Sequence, residues 1–181
     1  MIRIICGAAL AALCALPAAA QDADQLGDLN PDEMTWQRVM RDIERGQTTM
    51  TNCAAGYYIT KSGRHGPART LFERCADDGW TGAMTWMGQM DENGLGGPQD
   101  SARAAEWDRR AADAGDPVGM LNRGLDLLRG HGVARDPEAG RRMIDGAAQQ
   151  GLTTARDLQA ADYDPRAVTP DADEWRYQNL F

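Results

Sequence analysis

Two neighbouring stretches of the chain place apolar residues three or four positions apart, which is the spacing of one face of an α-helix. The stretches are 83–92 and 118–128, and a glycine follows each of them, Gly94 or Gly130. Glycine readily takes the left-handed conformation that ends many helices. The pattern therefore predicts two helices with glycine caps. Their apolar positions are Met84, Met87 and Met90 in the first, and Leu121, Leu125 and Leu128 in the second.

A shift of 36 residues superposes the first stretch and its continuation on the second. Asp100 and Asp136 align, and each carboxylate is suited to accept hydrogen bonds from the free amides at the start of a second helix. Other aligned pairs are Gly88 and Gly124, Gly94 and Gly130, Ala111 and Ala147, Ala112 and Ala148, and Gly115 and Gly151. A fixed period of this size predicts a solenoid, in which each helix pair buries its apolar face against its neighbours.

The repeated residues resemble the Sel-one-like repeat (SLR) family, a relative of the tetratricopeptide repeat. Matches in the first unit are Ala83, Gly88, Gly94, Gly96, Asp100, Ala104, Trp107, Ala111, Ala112 and Gly115. Matches in the second unit are Gly124, Gly130, Gly132, Val133, Asp136, Ala147, Ala148 and Gly151. Departures are Asp91 at a tyrosine position, Arg123 at a leucine position, Gly97 at a valine position and Met143 at a tryptophan position. Arg123 is therefore expected to face a groove rather than the core.

The resemblance implies an all-α fold: a short α/α solenoid of antiparallel helix pairs, about three SLR-type units, with capping helices at both ends. A helix capped by Asn30 is predicted to cover the first unit, and the repeat fades after Gly151. The predicted segments are 1–20 signal peptide, 21–29 flexible acidic leader, 30–46 N-terminal capping helix, 47–80 degenerate disulfide-linked repeat, 81–116 repeat, 117–152 repeat, and 153–181 C-terminal cap and tail.

The first 20 residues have the features of a secretory signal peptide. Arg3 precedes an apolar run, and three alanines ending at Ala20 provide a small-residue cleavage site before Gln21. The sequence therefore predicts a periplasmic or secreted protein, cleaved near Ala20, with no stable membrane insertion. The formal net charge of −8 argues against non-specific binding of nucleic acid.

Cys53 and Cys75 are the only cysteines that remain after removal of the signal peptide. An even number of cysteines in an exported chain favours a disulfide. The midpoint between them is Arg64, inside a polar turn that is predicted to join two antiparallel helices. Residues equally far from such a turn lie opposite each other, so the two cysteines are placed to meet. A reactive thiol or a metal pair is the weaker alternative.

The sequence predicts no catalytic residues, no metal site and no cofactor. His65 and His131 each lie in a glycine-rich turn, where exposed loop residues are expected, and no paired-histidine zinc motif is present. The helical spacing of Met84, Met87 and Met90 indicates core rather than copper binding. The run 91–93 lacks the spaced ligands of a calcium loop and indicates a solvated helix end.

A binding surface remains as the expected source of function. The resemblance implies that the first helices line an inner face that binds a protein or peptide partner of the cell envelope, in signalling or assembly. The predicted partner-binding residues are Trp86, Gln89, Asn122, Arg123 and Asp126. One alternative is cell-wall glycan binding by Trp80, Trp86 and Trp107. Another is a β-lactam or peptidoglycan hydrolase acting through Ser62, although the S-x-x-K nucleophile motif is absent.

Overall fold

A computed structural model describes residues 35–168, and all regular structure in that range is helical. The helices lie close together in sequence, joined by turns of three to seven residues. Their bounds are α1 Trp36–Glu44, α2 Met50–Lys61, α3 His65–Asp77, α4 Thr81–Asn93, α5 Ser101–Asp113, α6 Pro117–Arg129, α7 Pro137–Gln149 and α8 Thr153–Ala160.

The helices pack as three successive pairs, α2 with α3, α4 with α5, and α6 with α7. Each second helix also packs against the first helix of the next pair, and α4 contacts α6 directly. Helix α1 packs against the first pair and α8 against α7. The predicted all-α solenoid of about three helix pairs, with a helix at each end, is therefore confirmed.

The predicted caps of the repeats are present. Gly94 and Gly130 take the left-handed conformation at the ends of α4 and α6, with φ of 65° and 71°. Asp100 accepts a hydrogen bond from Arg103 N at the start of α5, and Asp136 accepts one from Ala139 N at the start of α7. These contacts satisfy backbone groups that a helix end leaves without partners. They fix where each pair turns and where its second helix begins.

The core consists of two clusters of buried apolar side chains. The first cluster draws on α1 to α5, and Met84, Met87 and Met90 are buried in it. The second cluster lies between α6, α7 and α8, around Leu121, Leu125 and Ile144. The methionine stripe is therefore core, as predicted. Burial of each such side chain contributes about 1.5–3 kcal/mol to folding.

The N-terminal helix begins later than its predicted cap would place it. Thr35 caps α1, because its side chain accepts a hydrogen bond from Arg38 N, and the helix starts at Trp36. Asn30, the predicted cap, lies outside the described residues, as do the signal peptide, the acidic leader and residues 169–181. Between residues 35 and 168, no helix is long and apolar enough to cross a membrane.

Candidate functional site

A pocket of about 300 Å³ opens between α4 and α6, with α5 at its back. Helix α4 contributes Gln89 and Glu92, and α6 contributes Asn122 and Asp126. Asp108 of α5 completes the acidic part of the wall. The other lining residues are Gly88, Asn93, Ala104, Arg129 and His131. Most of the residues that line the pocket are therefore polar or charged, although the pocket lies between helices that pack through apolar side chains.

The pocket lies where one core position of the repeat, which is apolar in the neighbouring units, is an aspartate in the middle unit. Phe72 of α3, Asp108 of α5 and Ile144 of α7 stand 36 residues apart, and all three are buried. Each faces a glycine of the preceding helix. The facing pairs are Gly56 with Phe72, Gly88 with Asp108, and Gly124 with Ile144. The aspartate is shorter than the other two side chains and is polar, so the middle unit has space and hydrogen-bonding groups where its neighbours have packed hydrocarbon.

Two of the polar side chains are held almost completely out of solvent. Asn122 is 4% exposed, and its Nδ2 donates a hydrogen bond to Asp108 Oδ1 at 3.2 Å. Asp126 lies one helical turn further along α6 and is 7% exposed. Asn122 Oδ1 and Asp126 Oδ2 have no hydrogen-bond partner. Because buried polar atoms are nearly always paired, two unpaired acceptors in one pocket are unusual.

Burial changes the acidity of both carboxyl groups. Removal from water raises the pKa of Asp126 to about 7, despite the opposing effect of Arg123 and His131. Burial also raises the pKa of Asp108 well above its usual range, and the neighbouring Asp126 raises it further. The pocket thus contains two carboxyl groups whose ionised forms are disfavoured unless a compensating charge is present.

The basic side chains around the pocket have other partners. His131 Nε2 lies 2.8 Å from Glu92 Oε2 at the rim. The Arg129 guanidinium donates to the carbonyl oxygens of Pro165 and Val168. Arg123 Nη1 donates to the Ala105 carbonyl oxygen at 3.4 Å. None of these three side chains forms an ion pair with Asp108 or Asp126 in the part of the chain described.

An aromatic cluster lies on α2 and α4, next to the pocket along the first helices. Trp86 stacks on Phe72 with ring centroids 5.5 Å apart and meets Tyr57 edge-on at 5.7 Å. Tyr58 packs edge-on against Tyr57 and is 65% exposed. Lys61 lies over the rings of Tyr57 and Trp86. The cluster gives this side of the solenoid an accessible aromatic surface.

The structure brings together three of the five residues that the sequence predicted to bind a partner. Gln89, Asn122 and Asp126 line the pocket. Trp86 belongs to the aromatic cluster, and Arg123 is half-buried beside Ala105 rather than in the pocket wall. Sequence reasoning missed Asp108 and Glu92. Asp108 could have been found from the sequence, because the 36-residue shift aligns this acidic residue with an isoleucine.

The interpretation of 91–93 as a solvated helix end is wrong for Asp91, which has no exposed surface. Its Oδ1 lies 2.7 Å from Arg69 Nη2, and its Oδ2 accepts a hydrogen bond from Trp107 Nε1 at 3.1 Å. Arg103 Nε lies 3.5 Å from the same Oδ2. Asp91 therefore joins α3, α4 and α5 at the tyrosine position of the repeat. The sequence alone could not show this, because the partners come from two other helices, α3 and α5.

The predicted disulfide is present. Cys53 of α2 and Cys75 of α3 are bonded, with their Cα atoms 5.9 Å apart. The bond fastens the two helices of the first pair, which has drifted furthest from the repeat pattern. Disulfides persist in oxidising compartments, so this bond supports a location outside the cytoplasm.

The histidines differ from each other. His131 is exposed, as expected for a turn residue. His65 was expected in an exposed turn, but it begins α3, is half-buried, and its Nδ1 is buried without a hydrogen-bond partner. Within residues 35–168, no group of three histidine, cysteine, aspartate or glutamate side chains is arranged to hold a metal ion.

The residues of the two alternative functions have structural partners. Ser62 ends α2, and its hydroxyl donates to the Ile59 carbonyl oxygen at 2.7 Å. Trp80 Nε1 donates to the Thr48 carbonyl oxygen at 2.7 Å, and the Arg110 guanidinium covers the Trp107 ring at 4.2 Å. Trp80, Trp86 and Trp107 all pack against the first core cluster. Their positions favour structural roles over glycan stacking.

Solved structures with a similar fold are SLR proteins. A protective antigen present in uropathogenic Escherichia coli strains, which displays an SLR fold, superposes with a TM-score of 0.63 and 27% identity, covering 77% of this chain and 31% of the antigen. A Sel1 repeat protein from Oxalobacter formigenes gives 0.62 and 18% identity, covering 77% of this chain and 57% of that protein. Cysteine-rich protein B of Helicobacter pylori gives 0.56 and 16% identity, covering 70% of this chain and 98% of that protein.

This chain thus spans about a third of the first of these proteins and just over half of the second. No protein-family model matches the sequence, and no curated protein matches it. The fold defines the class: a short α/α solenoid of helix pairs. Its repeat period, glycine turns and structural likenesses give it the fold of the Sel-one-like repeat proteins, as the sequence predicted.

Proposed function

We propose that this chain is an exported, non-enzymatic scaffold that binds a protein or peptide partner of the cell envelope, in signalling or in assembly. The observation that carries the proposal is the pocket between α4 and α6. Three side chains chosen from repeat geometry, Gln89, Asn122 and Asp126, line it. The aromatic cluster around Trp86 lies on the neighbouring turn of α4 and extends the same surface.

The chemistry of this surface suits recognition of a polypeptide. Exposed tyrosine beside half-buried tryptophan provides apolar contact area with little loss of side-chain freedom on binding. The pocket beside it provides hydrogen-bond acceptors that fix orientation. The export part of the proposal is supported by the Cys53–Cys75 bond and by the signal-like segment before Gln21.

Affinity capture with paired bait variants tests the proposal. The bait is the chain from Gln21 with its disulfide intact, and envelope extract is the source. Gln89→Trp is designed to fill the mouth of the pocket. Glu106→Trp is the matched control, because Glu106 is exposed and lies two residues from both Ala104 and Asp108, on the opposite side of α5.

We expect at least one envelope protein to be retained by the unchanged bait and by Glu106→Trp, and to be lost from Gln89→Trp. Mass spectrometry identifies it, and the purified protein is then titrated against each bait. Equal retention by both variants would show that the partner binds outside the pocket. Retention of no protein by any bait, under oxidising conditions, would contradict the scaffold function.

A further inference from the structure

The unpaired atoms of the pocket all have the same hydrogen-bonding character. Asn122 Oδ1 and Asp126 Oδ2 are acceptors, and both belong to side chains that are more than nine-tenths buried. Asp108 also presents acceptor oxygens when it is ionised, and one of them already receives Asn122 Nδ2. A bound group that completes this site must therefore supply several hydrogen-bond donors.

The charges around the pocket further restrict the chemical class of the bound group. The carboxyl groups of Asp108 and Asp126 face the pocket together with Glu92 at the rim. The basic side chains nearest to them are those of His131, Arg123 and Arg129. His131 is paired with Glu92, Arg123 donates to a backbone carbonyl of α5, and Arg129 donates to carbonyls beyond α8. The inner carboxyl groups thus lack a cation of their own, which favours a cationic guest.

We propose that the pocket binds the primary ammonium group of a lysine side chain on the partner protein. This inference rests on the scaffold function proposed above and names the chemistry of its partner. An ammonium group has three donors that diverge from one nitrogen, which suits acceptors carried by three separate side chains, Asp108, Asn122 and Asp126. A guanidinium group is instead a planar fork that pairs best with both oxygens of one carboxylate.

The composition of the chain agrees with a basic partner. Its formal net charge is −8, so a lysine-bearing surface is attracted over a distance as well as within the pocket. The volume of about 300 Å³ is enough for the end of one extended side chain. The aromatic cluster on α2 and α4 is positioned to contact residues that flank the lysine.

Binding should depend on pH because a proton and the ammonium group compete for the same carboxylate. The pKa of Asp126 is raised to about 7 by burial, so the carboxylate is mostly protonated at pH 6 and mostly ionised at pH 8. Affinity should therefore rise about tenfold from pH 6 to pH 8. The pKa of Asp108 is raised in the same direction, and its ionisation adds to the trend.

The test uses the chain from Gln21 to Phe181 and three peptides that differ at one position. Acetyl-Gly-Gly-Lys-Gly-Gly-amide is compared with its Nε-acetyl-lysine and arginine counterparts. NMR at pH 8 follows the side-chain amide signals of Asn122 and gives the dissociation constants. We expect the lysine peptide to bind at least tenfold more tightly than the acetyl-lysine peptide and several-fold more tightly than the arginine peptide.

Two variants locate the effect. Asp126→Asn should weaken lysine-peptide binding at least tenfold and reduce the rise in affinity between pH 6 and pH 8, leaving only the contribution of Asp108. Asp113→Asn makes the same change of charge at an exposed residue of α5, outside the pocket, and should leave binding unchanged. Circular dichroism checks that both variants are folded.

The outcomes separate this inference from the scaffold function. Equal binding of the lysine and acetyl-lysine peptides would overturn the inference, as would equal binding of the arginine peptide or unchanged binding by Asp126→Asn. The scaffold function would still stand if Gln89→Trp releases a captured partner. Conversely, lysine binding at Asn122 without any captured partner would support the pocket chemistry and contradict the scaffold function.

Discussion

Asn122 of α6 donates a hydrogen bond to Asp108 of α5 at 3.2 Å, and both side chains are buried where their helices meet the pocket. The neighbouring repeats use apolar contacts at the equivalent second-helix position, through Phe72 and Ile144. A buried polar pair contributes less to folding than a hydrophobic contact of the same size. The middle unit carries this pair in the wall of the pocket that we propose as the recognition site.

The stability of the protein should fall as the carboxyl group of Asp126 ionises. This group is neutral in the folded state below its pKa of about 7, whereas in the unfolded chain it ionises near pH 4. Stability from this group is therefore present below about pH 4 and lost as pH rises to about 7. Asp126→Asn should match the unchanged protein at pH 4 and exceed it at pH 8 by up to ~4 kcal/mol.

Urea unfolding at several pH values measures this difference. Asp113→Asn is the control, because that residue is exposed, and it should show no such trend. A difference for Asp126→Asn that stays constant from pH 4 to pH 8 would contradict the raised pKa.

The ion pair between Asp91 and Arg69 should contribute more to stability than the ion pair between Asp91 and the more exposed Arg103. Arg69→Met keeps most of the side-chain volume but leaves Asp91, which has no exposed surface, without its closest cation. We expect a loss of about 3 kcal/mol or more in the free energy of unfolding. Arg103→Met removes a cation that is 49% exposed and 3.5 Å away, and should cost about 1 kcal/mol or less. Equal losses in urea unfolding would show that Asp91 is not held mainly by Arg69.

Close packing of α6 on α7 depends on the absence of a side chain at Gly124. A Cβ atom there would lie 2.7 Å from Ile144 Cγ1 and 3.0 Å from the Gly140 carbonyl oxygen. Gly124→Ala should therefore lower the free energy of unfolding by about 1–3 kcal/mol. Gly66→Ala is the matched control in α3, where a Cβ atom would meet nothing within 4 Å. It should be neutral or stabilising by up to about 1 kcal/mol. Thermal unfolding of both variants measures the difference. A destabilised Gly66→Ala together with a neutral Gly124→Ala would contradict the prediction.

The disulfide should hold the first helix pair together. It closes a loop with a sequence separation of 22 residues, and its loss should cost roughly 3 kcal/mol in the chain-entropy description. The double variant Cys53→Ser, Cys75→Ser should unfold at lower urea concentration, with the fastest hydrogen exchange in α2 and α3. Dithiothreitol should destabilise the unchanged protein and leave the double variant unaffected. If exchange increases equally in all helices, the bond does not act locally.

Features fixed by local geometry could be predicted from the sequence. The glycine ends of α4 and α6, the aspartate caps of α5 and α7, and the Cys53–Cys75 pairing each depend on residue type at a set spacing. The first unit does not align with the others over its whole length, because its helices are joined by a three-residue turn instead of the seven-residue turn between α4 and α5. This shorter turn hides the correspondence of Gly56 with Gly88.

Features that depend on several helices could not be predicted in the same way. Asp91 looked like an exposed acid at a helix end, but Arg69 and Trp107 reach it from α3 and α5. Gln89, Asn122 and Asp126 were chosen as polar residues of first helices, which was sufficient to find part of the pocket. Asp108 lies on the second helix of its pair, so a choice restricted to first helices does not include it. Its alignment with Ile144 nevertheless shows an acidic residue at a position that is apolar in the next unit.

Site-specific photo-cross-linking in cells tests most directly the claim that the face of the first helices is the binding surface. A photoreactive phenylalanine derivative is introduced at Gln89, at the pocket, and at Glu106, on the opposite side of α5. We expect a discrete cross-linked partner from Gln89 and none from Glu106, with the Gln89 product lost when Asp126→Asn is added. Cross-linking from Glu106 alone, or to the same extent from both positions, would contradict it.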